Sequence, residues 1–219
     1  MLVGPAVAQR VQQPRDVIQA YRVCEQYQTL LAQDLDFERA FEATFTKNAA
    51  RRREIAIYEG DFGDQHLNKI DDATLLQAFK ARMQIVYLML PLASPDSNED
   101  EALFFPPAIK AIFDRKPPQT SEEFPAYAQQ LQQDAIALRT HLNQLAARYP
   151  RVAERVRKFK QDLLEAPKLP VTRVEPATSY SKGHVLEPDE KFYQIGDYAV
   201  IREGGEMKII GIRFFSRLF

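Results

Sequence analysis

Apolar side chains recur every three or four residues through most of the chain, and this is the spacing of amphipathic helices. The pattern is strongest in three stretches, residues 17–31, 75–90 and 124–149. Residues that favour helix starts precede them: Asp16, Asp71 or Asp72, and Thr120 with Glu123, which together have the form of a capping box. The pattern therefore predicts long helices that bury one face each.

Shorter segments with the same period extend the helical region. Asp36 is predicted to cap a short helix, residues 51–58 to form another, and Pro150 to restart a helix that reaches about Glu165. Prolines at both ends of PPAIKAIFDRKPP limit that segment to one or two turns. Together these elements predict a bundle-like helical domain over residues 14–165.

The composition changes after the last predicted helix. Residues 166–190 contain prolines and no helical period, so they are predicted to form an extended connector. Residues 191–219 are rich in β-branched and aromatic side chains, and Gly204 and Gly205 predict a hairpin turn. A lone hairpin is marginal in water, so a third strand is expected, from residues 191–195 or from the connector. The predicted fold class is mostly α (α+β), with a small C-terminal antiparallel hairpin or three-stranded sheet packed on the helices.

The charge and the cysteine content limit which binding partners and kinds of site the sequence supports. The 219 residues include 29 basic and 30 acidic ones, so no global field favours nucleic acid or an acidic membrane surface. The longest apolar run, residues 83–93, is too short to span a bilayer. The only cysteine, Cys24, rules out an internal disulfide framework and a multi-cysteine zinc site, and it is predicted to be a small buried apolar residue.

The first residues bear on the compartment. Ala6, Val7 and Ala8 form a small-x-small pattern of the kind that signal peptidase cuts after, and MLVGPAV resembles the end of an apolar signal region. Residues 1–13 are therefore interpreted as the remnant of a signal peptide, and the protein is expected to be periplasmic or secreted. The alternative is a cytoplasmic protein with a frayed N-terminus.

The stretch KNAARRREIAIYEGDFGDQH contains the densest set of polar groups. Asp61, Asp64 and His66 follow Glu59 in a glycine-containing loop, and such oxygen and imidazole groups can hold a divalent cation. The alternative is a solvated turn after a helix. The three consecutive arginines at 51–53 are expected to lie on the surface, because on a helix they spread over some 200° and cannot face one ligand together.

A second basic cluster lies at residues 148–160 and keeps the helical spacing of its apolar members, so it is interpreted as the outer face of a helix. No HExxH, P-loop or GxSxG motif is present, and no cofactor is predicted. His141 lies seven residues after Asp134 on one helix face, which suggests a buried polar pair. These features favour a non-enzymatic protein, although enzymatic activity stays open.

Two functional classes follow. The first is an exported binding or interaction module for an unidentified protein. The second is a small-molecule-binding protein or enzyme with a pocket between the helices and the C-terminal sheet, lined by Tyr21, Arg82, Tyr87 or His141. A closed apolar interior would favour the first class, and a pocket with converging polar groups would favour the second.

The closing strands, YAVIREGGEMKIIGIRFF, resemble the last hairpin of the small cone-shaped α+β ligand-binding folds of the nuclear-transport-factor type. The resemblance covers residues 198–215 and includes no motif. It implies a ligand pocket beside the sheet, as in the second class, whereas the long helical middle of the chain departs from that fold.

Overall fold

The computed structural model describes residues 15–60, 62–63, 67–92, 104–165, 171–176 and 191–212. Within these ranges seven α-helices precede a sheet of four strands. The helices are α1 (Arg15–Asp34), α2 (Phe37–Thr44), α3 (Ala49–Gly60), α4 (Asp72–Met89), α5 (Pro107–Phe113), α6 (Phe124–Arg148) and α7 (Pro150–Glu165), with a short 3₁₀ turn at Leu67–Lys69. The strands are β1 (Val171–Pro176), β2 (Lys191–Ile195), β3 (Tyr198–Glu203) and β4 (Glu206–Ile212). The predicted mostly helical fold with a small antiparallel sheet is confirmed.

Side-chain caps fix the starts of two helices where the sequence predicts them. The Asp36 carboxylate accepts a hydrogen bond from the Arg39 backbone N–H at 3.0 Å, and Asp71 accepts one from Thr74 N–H at 2.9 Å. These bonds satisfy amides that have no partner inside the helix. The two caps therefore set where α2 and α4 begin.

The capping box predicted at the start of α6 is wrong. Glu123 occupies the cap position with helical backbone angles and makes no capping bond through its side chain. The N–H of Phe124 instead donates to the carbonyl of Ser121 at 3.3 Å, and Pro125 has no N–H to satisfy. A preceding turn and a proline thus leave fewer amides in need of a side-chain cap.

The sheet is antiparallel throughout, with strand order β1-β2-β3-β4. Gly204 and Gly205 form the predicted turn between β3 and β4 with φ angles of 57° and 87°, a left-handed pair that glycine adopts without steric cost. Both segments that were predicted to supply a further strand do so, because the connector contributes β1 and residues 191–195 form β2.

One face of the sheet belongs to the main hydrophobic core. Tyr193, Val200 and Ile209 are at most 4% exposed and lie in the same cluster as the buried residues of the helices. The chain after α2 also joins the sheet edge, since Thr46 N–H donates to the Ile209 carbonyl at 3.0 Å. The opposite face has its own small buried cluster, formed by Phe192, Ala199, Ile201 and Ile210.

The centre of the helical core is aromatic. The ring of Phe37 lies 5.6 to 6.5 Å from four other rings, in edge-to-face, tilted and stacked arrangements; these rings belong to Tyr27, Phe41, Phe79 and Tyr87. Contacts of this kind stabilise a core by more than the burial of their apolar area alone would. Phe37 therefore joins α1, α2 and α4 at a single point.

Cys24 is completely buried on α1, as predicted. Desolvation, with a smaller contribution from the Glu25 charge, raises the pKa of its thiol well above the usual range. Since the thiolate is the reactive form, Cys24 is packing material in the folded protein. None of the described helices is long and apolar enough to cross a membrane.

Candidate functional site

The four residues predicted to line a pocket lie in separate environments. Tyr87 is 3% exposed in the aromatic core, where its hydroxyl accepts a hydrogen bond from the Tyr27 hydroxyl at 3.0 Å. Burial raises the pKa of Tyr87 to about 12; the bond from Tyr27 lowers it and the Glu59 charge raises it. Tyr21 is partly buried against the same core from α1.

Arg82 and His141 lie elsewhere. The Arg82 guanidinium donates to the Tyr127 hydroxyl at 3.3 Å and lies 5.8 Å from the centre of the Phe62 ring. The Nε2 atom of His141 is 2.9 Å from the carbonyl oxygen of Phe104. None of the four predicted residues lines the groove or the two smaller depressions described below. We therefore do not combine them into one site.

The buried polar pair predicted between Asp134 and His141 is wrong. The Asp134 carboxylate, 5% exposed as a residue, accepts hydrogen bonds from Arg115 at 2.6 and 3.2 Å and from Gln130 at 3.0 Å. Residues seven apart share a helix face but lie about 10 Å apart along the axis. The Asp134 carboxylate and the His141 ring therefore bond to nearer groups. Asp134 thus holds the segment after α5 against α6.

The predicted cation ligands Asp61, Asp64 and His66 lie outside the described residues, as do residues 1–14. Within the described ranges no group of three or more histidine, cysteine, aspartate or glutamate side chains could hold a metal ion. The metal-binding hypothesis for this loop stays a prediction.

The three consecutive arginines are structural and mostly buried, which corrects the expectation that they lie on the surface. Their guanidinium groups point in different directions, as the helical spread of some 200° requires. Arg51 is 5% exposed and donates to the Glu203 carboxylate of β3 at 3.4 Å. Arg53 donates to the carbonyls of Leu67 and Ile70 at 2.6 and 2.9 Å.

Arg52 points to α2 and makes the third connection. Its guanidinium pairs with the Glu42 carboxylate and lies 4.8 Å from the centre of the Phe41 ring. Glu42 also accepts from Lys47 at 3.0 Å and from Lys80 at 3.3 Å. Desolvation alone would raise the pKa of Glu42, but hydrogen bonds from Arg52 and Lys47 and nearby cationic charge lower it from 4.5 to about 2.

The low pKa of Glu42 predicts a pH-dependent contribution to stability. Because the folded-state pKa lies below the unfolded one, this contribution is present above about pH 4.5 and is lost as the pH falls towards 2. We expect Glu42→Gln to lower the free energy of unfolding by about 1 kcal/mol at neutral pH, since the side chain is partly exposed, and by progressively less towards pH 2.

Urea unfolding of both proteins between pH 7 and pH 2 measures this difference. Glu25→Gln is the matched control, because Glu25 is exposed on α1 and makes no hydrogen bond or ion pair with another described residue. A difference between wild type and Glu42→Gln that does not change with pH would contradict the assignment.

The basic cluster at 148–160 is also divided among separate contacts. Arg157 pairs with Glu154 at 2.7 Å, and Lys160 donates to the Gln33 carbonyl at 2.7 Å. Arg151 and Arg155 lie 5.7 and 5.4 Å from the centre of the Phe104 ring. These side chains therefore contribute to packing and ion pairing along α7.

The described interior between the helices and the sheet is packed. Tyr27 lies between them, with ring centres 5.6 Å from Phe45 and 5.8 Å from Tyr198, and the Tyr198 hydroxyl accepts from Gln28 at 2.9 Å. Val200 and Ile209 fill the sheet side and are completely buried. These described side chains fill the space where the second functional class predicted a pocket.

A groove of about 770 Å³ opens between α4 and α6 and ends against the start of α2. We call it the α4–α6 groove. One face of α4 and one face of α6 form its walls, at spacings of three and four residues. Its lining consists of Asp36, Glu38, Ala73, Leu76, Gln77, Lys80, Ala81, Gln84, Gln132, Ala135, Ile136 and Arg139.

The apolar side chains that line the α4–α6 groove are small or aliphatic. Ala81 and Ala135 are buried, whereas Ile136 is 68% exposed, the largest value among the exposed large hydrophobic residues of the described chain. Exposing a branched aliphatic side chain costs hydrophobic free energy that burial by a ligand would recover. Ile136 therefore adds exposed apolar surface to the lining of the groove.

At its α2 end the groove meets the corner between α1 and α2, which is held by hydrogen bonds. Leu35 adopts a left-handed φ of 52°, which a leucine rarely does, and its carbonyl accepts from Gln84 at 2.6 Å and from Arg139 at 3.0 Å. Gln84 also accepts from the Phe37 N–H at 3.0 Å. Side chains from α4 and α6 thus hold the backbone at this end of the groove.

Two amide side chains remain available in the groove. Gln77 on α4 and Gln132 on α6 make no hydrogen bond with another described residue. Each can donate two hydrogen bonds and accept others. With Lys80 and Arg139 already bonded to protein groups, these amides are the groove's adaptable polar contacts.

Two smaller depressions are less developed. One of about 340 Å³ lies beside Phe62, Phe124 and the Pro117–Pro118 pair. The other, of about 490 Å³, lies between α1 and the β3–β4 turn and includes Arg22 and Lys208.

The α4–α6 groove holds no nucleophile–base pair and no histidine or cysteine. Its lining combines aliphatic side chains with carboxylate, amide and cationic groups. The sequence predictions did not include this site. The available signal was Ile136, an apolar residue that lies off the buried stripe of α6, formed by Leu131, Ala135, Leu138 and Leu142.

Comparisons of the chain with models of known protein families, with curated proteins and with solved structures found no match.

Proposed function

We propose that this protein is a non-enzymatic binding module that receives a short apolar segment of a partner protein in the α4–α6 groove. The observation that carries the proposal is the exposure of Ile136, 68%, on the wall of a groove of about 770 Å³. A groove lined by apolar side chains between two helices is a surface in which the apolar residues of a partner segment can dock.

Two further observations support a binding function. Three described polar clusters have structural roles: Glu42 joins α2 to α3, Glu203 joins β3 to α3, and Asp134 holds the segment after α5 against α6. The interior beside the sheet, where the alternative small-molecule pocket was predicted, is filled by aromatic and aliphatic side chains.

Export of the protein stays part of the proposal, and N-terminal sequencing of protein from its host tests it.

Replacing Ile136 with glutamate is expected to abolish partner binding with little effect on the fold. The side chain is exposed, so the charge is tolerated in the free protein, but docking an apolar segment would bury it without a partner. We expect at least about a tenfold loss of affinity, since burying an unpaired charge costs more than 1.4 kcal/mol.

The partner is first captured in the host with a photoreactive amino acid at position 136 and identified by mass spectrometry. Purified partner is then titrated calorimetrically into wild type, Ile136→Glu and the control Ile18→Glu, which alters another exposed isoleucine on α1. Equal affinities for all three proteins would contradict the proposal. Circular dichroism melts check that both variants are folded.

A further inference from the structure

Resting on the proposed function, we infer that the segment received by the α4–α6 groove is an amphipathic helix with a basic residue facing the Asp36–Glu38 corner. The groove's shape gives the first part of this inference. Lining residues on α4 run from Ala73 to Gln84, about 16 Å of helix axis at roughly 1.5 Å per residue. In helical bundles, a third helix commonly packs into the groove between two neighbouring helices.

The polar inventory of the groove also favours a helix over an extended peptide. An extended chain brings one unpaired N–H and one unpaired C=O per residue, and each needs a partner when buried. The groove offers no sheet edge, and Arg139 and Gln84 already bond to the α1–α2 corner. A helix satisfies its own backbone, so apolar residues at i, i+3, i+4 and i+7 suffice for docking.

The charges at the α2 end of the groove predict the basic residue on the docked helix. The cations there are engaged: Lys80 is 18% exposed and pairs with Glu38 and Glu42, while Arg139 donates to the carbonyls of Asp34 and Leu35. Arg39, outside the groove lining, pairs with Asp34.

The carboxylates at this end keep acceptor capacity. Glu38 is 62% exposed and accepts from Lys80 through one oxygen, and Asp36 uses one oxygen to cap α2. A carboxylate has about four lone-pair sites, so both groups can accept further bonds. A lysine or arginine on the docked helix supplies the donor and the opposite charge.

The test selects random linear peptides displayed on phage against the immobilised wild-type protein. The enriched peptides are expected to show apolar residues spaced three and four apart and a lysine or arginine at one end. Affinities of a labelled enriched peptide are then measured by fluorescence anisotropy for wild type, Ile136→Glu, Glu38→Gln and the control Glu25→Gln.

We expect Ile136→Glu to abolish binding and Glu38→Gln to weaken it roughly three- to fivefold, as loss of an exposed ion pair does, with Glu25→Gln unchanged. The same peptide with its basic residue replaced by glutamine should bind wild type and Glu38→Gln equally. Enriched peptides that require Ile136 but are proline-rich, lack a basic end or ignore Glu38→Gln overturn this inference and leave the proposed function standing. No enrichment over the Ile136→Glu protein overturns the inference and counts against the groove as the binding site.

Discussion

Phe37→Ala is expected to lower the free energy of unfolding by about 3–5 kcal/mol, the usual loss for removing a fully buried aromatic side chain. Phe37 is 0% exposed, and its ring packs against four other rings from α1, α2 and α4. The cavity would lie where these helices meet, so the surroundings cannot collapse around it easily. Urea titration followed by circular dichroism measures the loss.

Phe113→Ala is the matched control for this prediction. Phe113 is partly buried on the short helix α5, with Phe105 as its ring neighbour. We expect it to cost about 1–2 kcal/mol, in the ordinary range of single substitutions. If the two variants lose the same stability, the aromatic cluster is not the centre of the core.

Glu203→Ala is expected to destabilise the fold by about 2–4 kcal/mol, because it removes a carboxylate facing a buried guanidinium. Glu203 accepts hydrogen bonds from Arg51 at 3.4 Å, from the Lys47 N–H at 3.1 Å and from the Thr46 hydroxyl. These bonds connect β3 to α3 and to the segment between α2 and α3. Their loss should weaken the attachment of the sheet to the helices.

Glu206→Ala controls for loss of a glutamate in the same hairpin. Its side chain is 72% exposed and pairs with Lys208, so its removal should cost less than about 1 kcal/mol. In a double-mutant cycle, Arg51→Met with Glu203→Leu should cost less than the sum of the single changes, because no buried charge is left over. Additive losses would show that Arg51 and Glu203 do not act as a pair.

The sequence predicts the helices that form the candidate site but does not predict the site itself. The 3,4 spacing of apolar residues predicted α4 and α6, and with them which residues share a face. That α4 and α6 lie side by side is a long-range arrangement, and no local pattern encodes it. Residue type alone suggested the four pocket residues, and the structure places them in separate environments, with Tyr87, Arg82 and His141 each bonded to a different neighbour.

The local features of this protein follow from its amino-acid pattern. Apolar periodicity and the Asp36 and Asp71 caps fixed most helices, and the Gly204–Gly205 pair fixed the hairpin turn, since each depends on contacts within a few residues. The burial and the ion-pair partners of the charged side chains depend on the tertiary structure. Arg51 is buried with its guanidinium 3.4 Å from Glu203, which is far away in sequence. Ile136 lines a groove because α4 and α6 lie side by side. Free energies of pairing and burial depend on which groups meet in space, and only the folded chain specifies that.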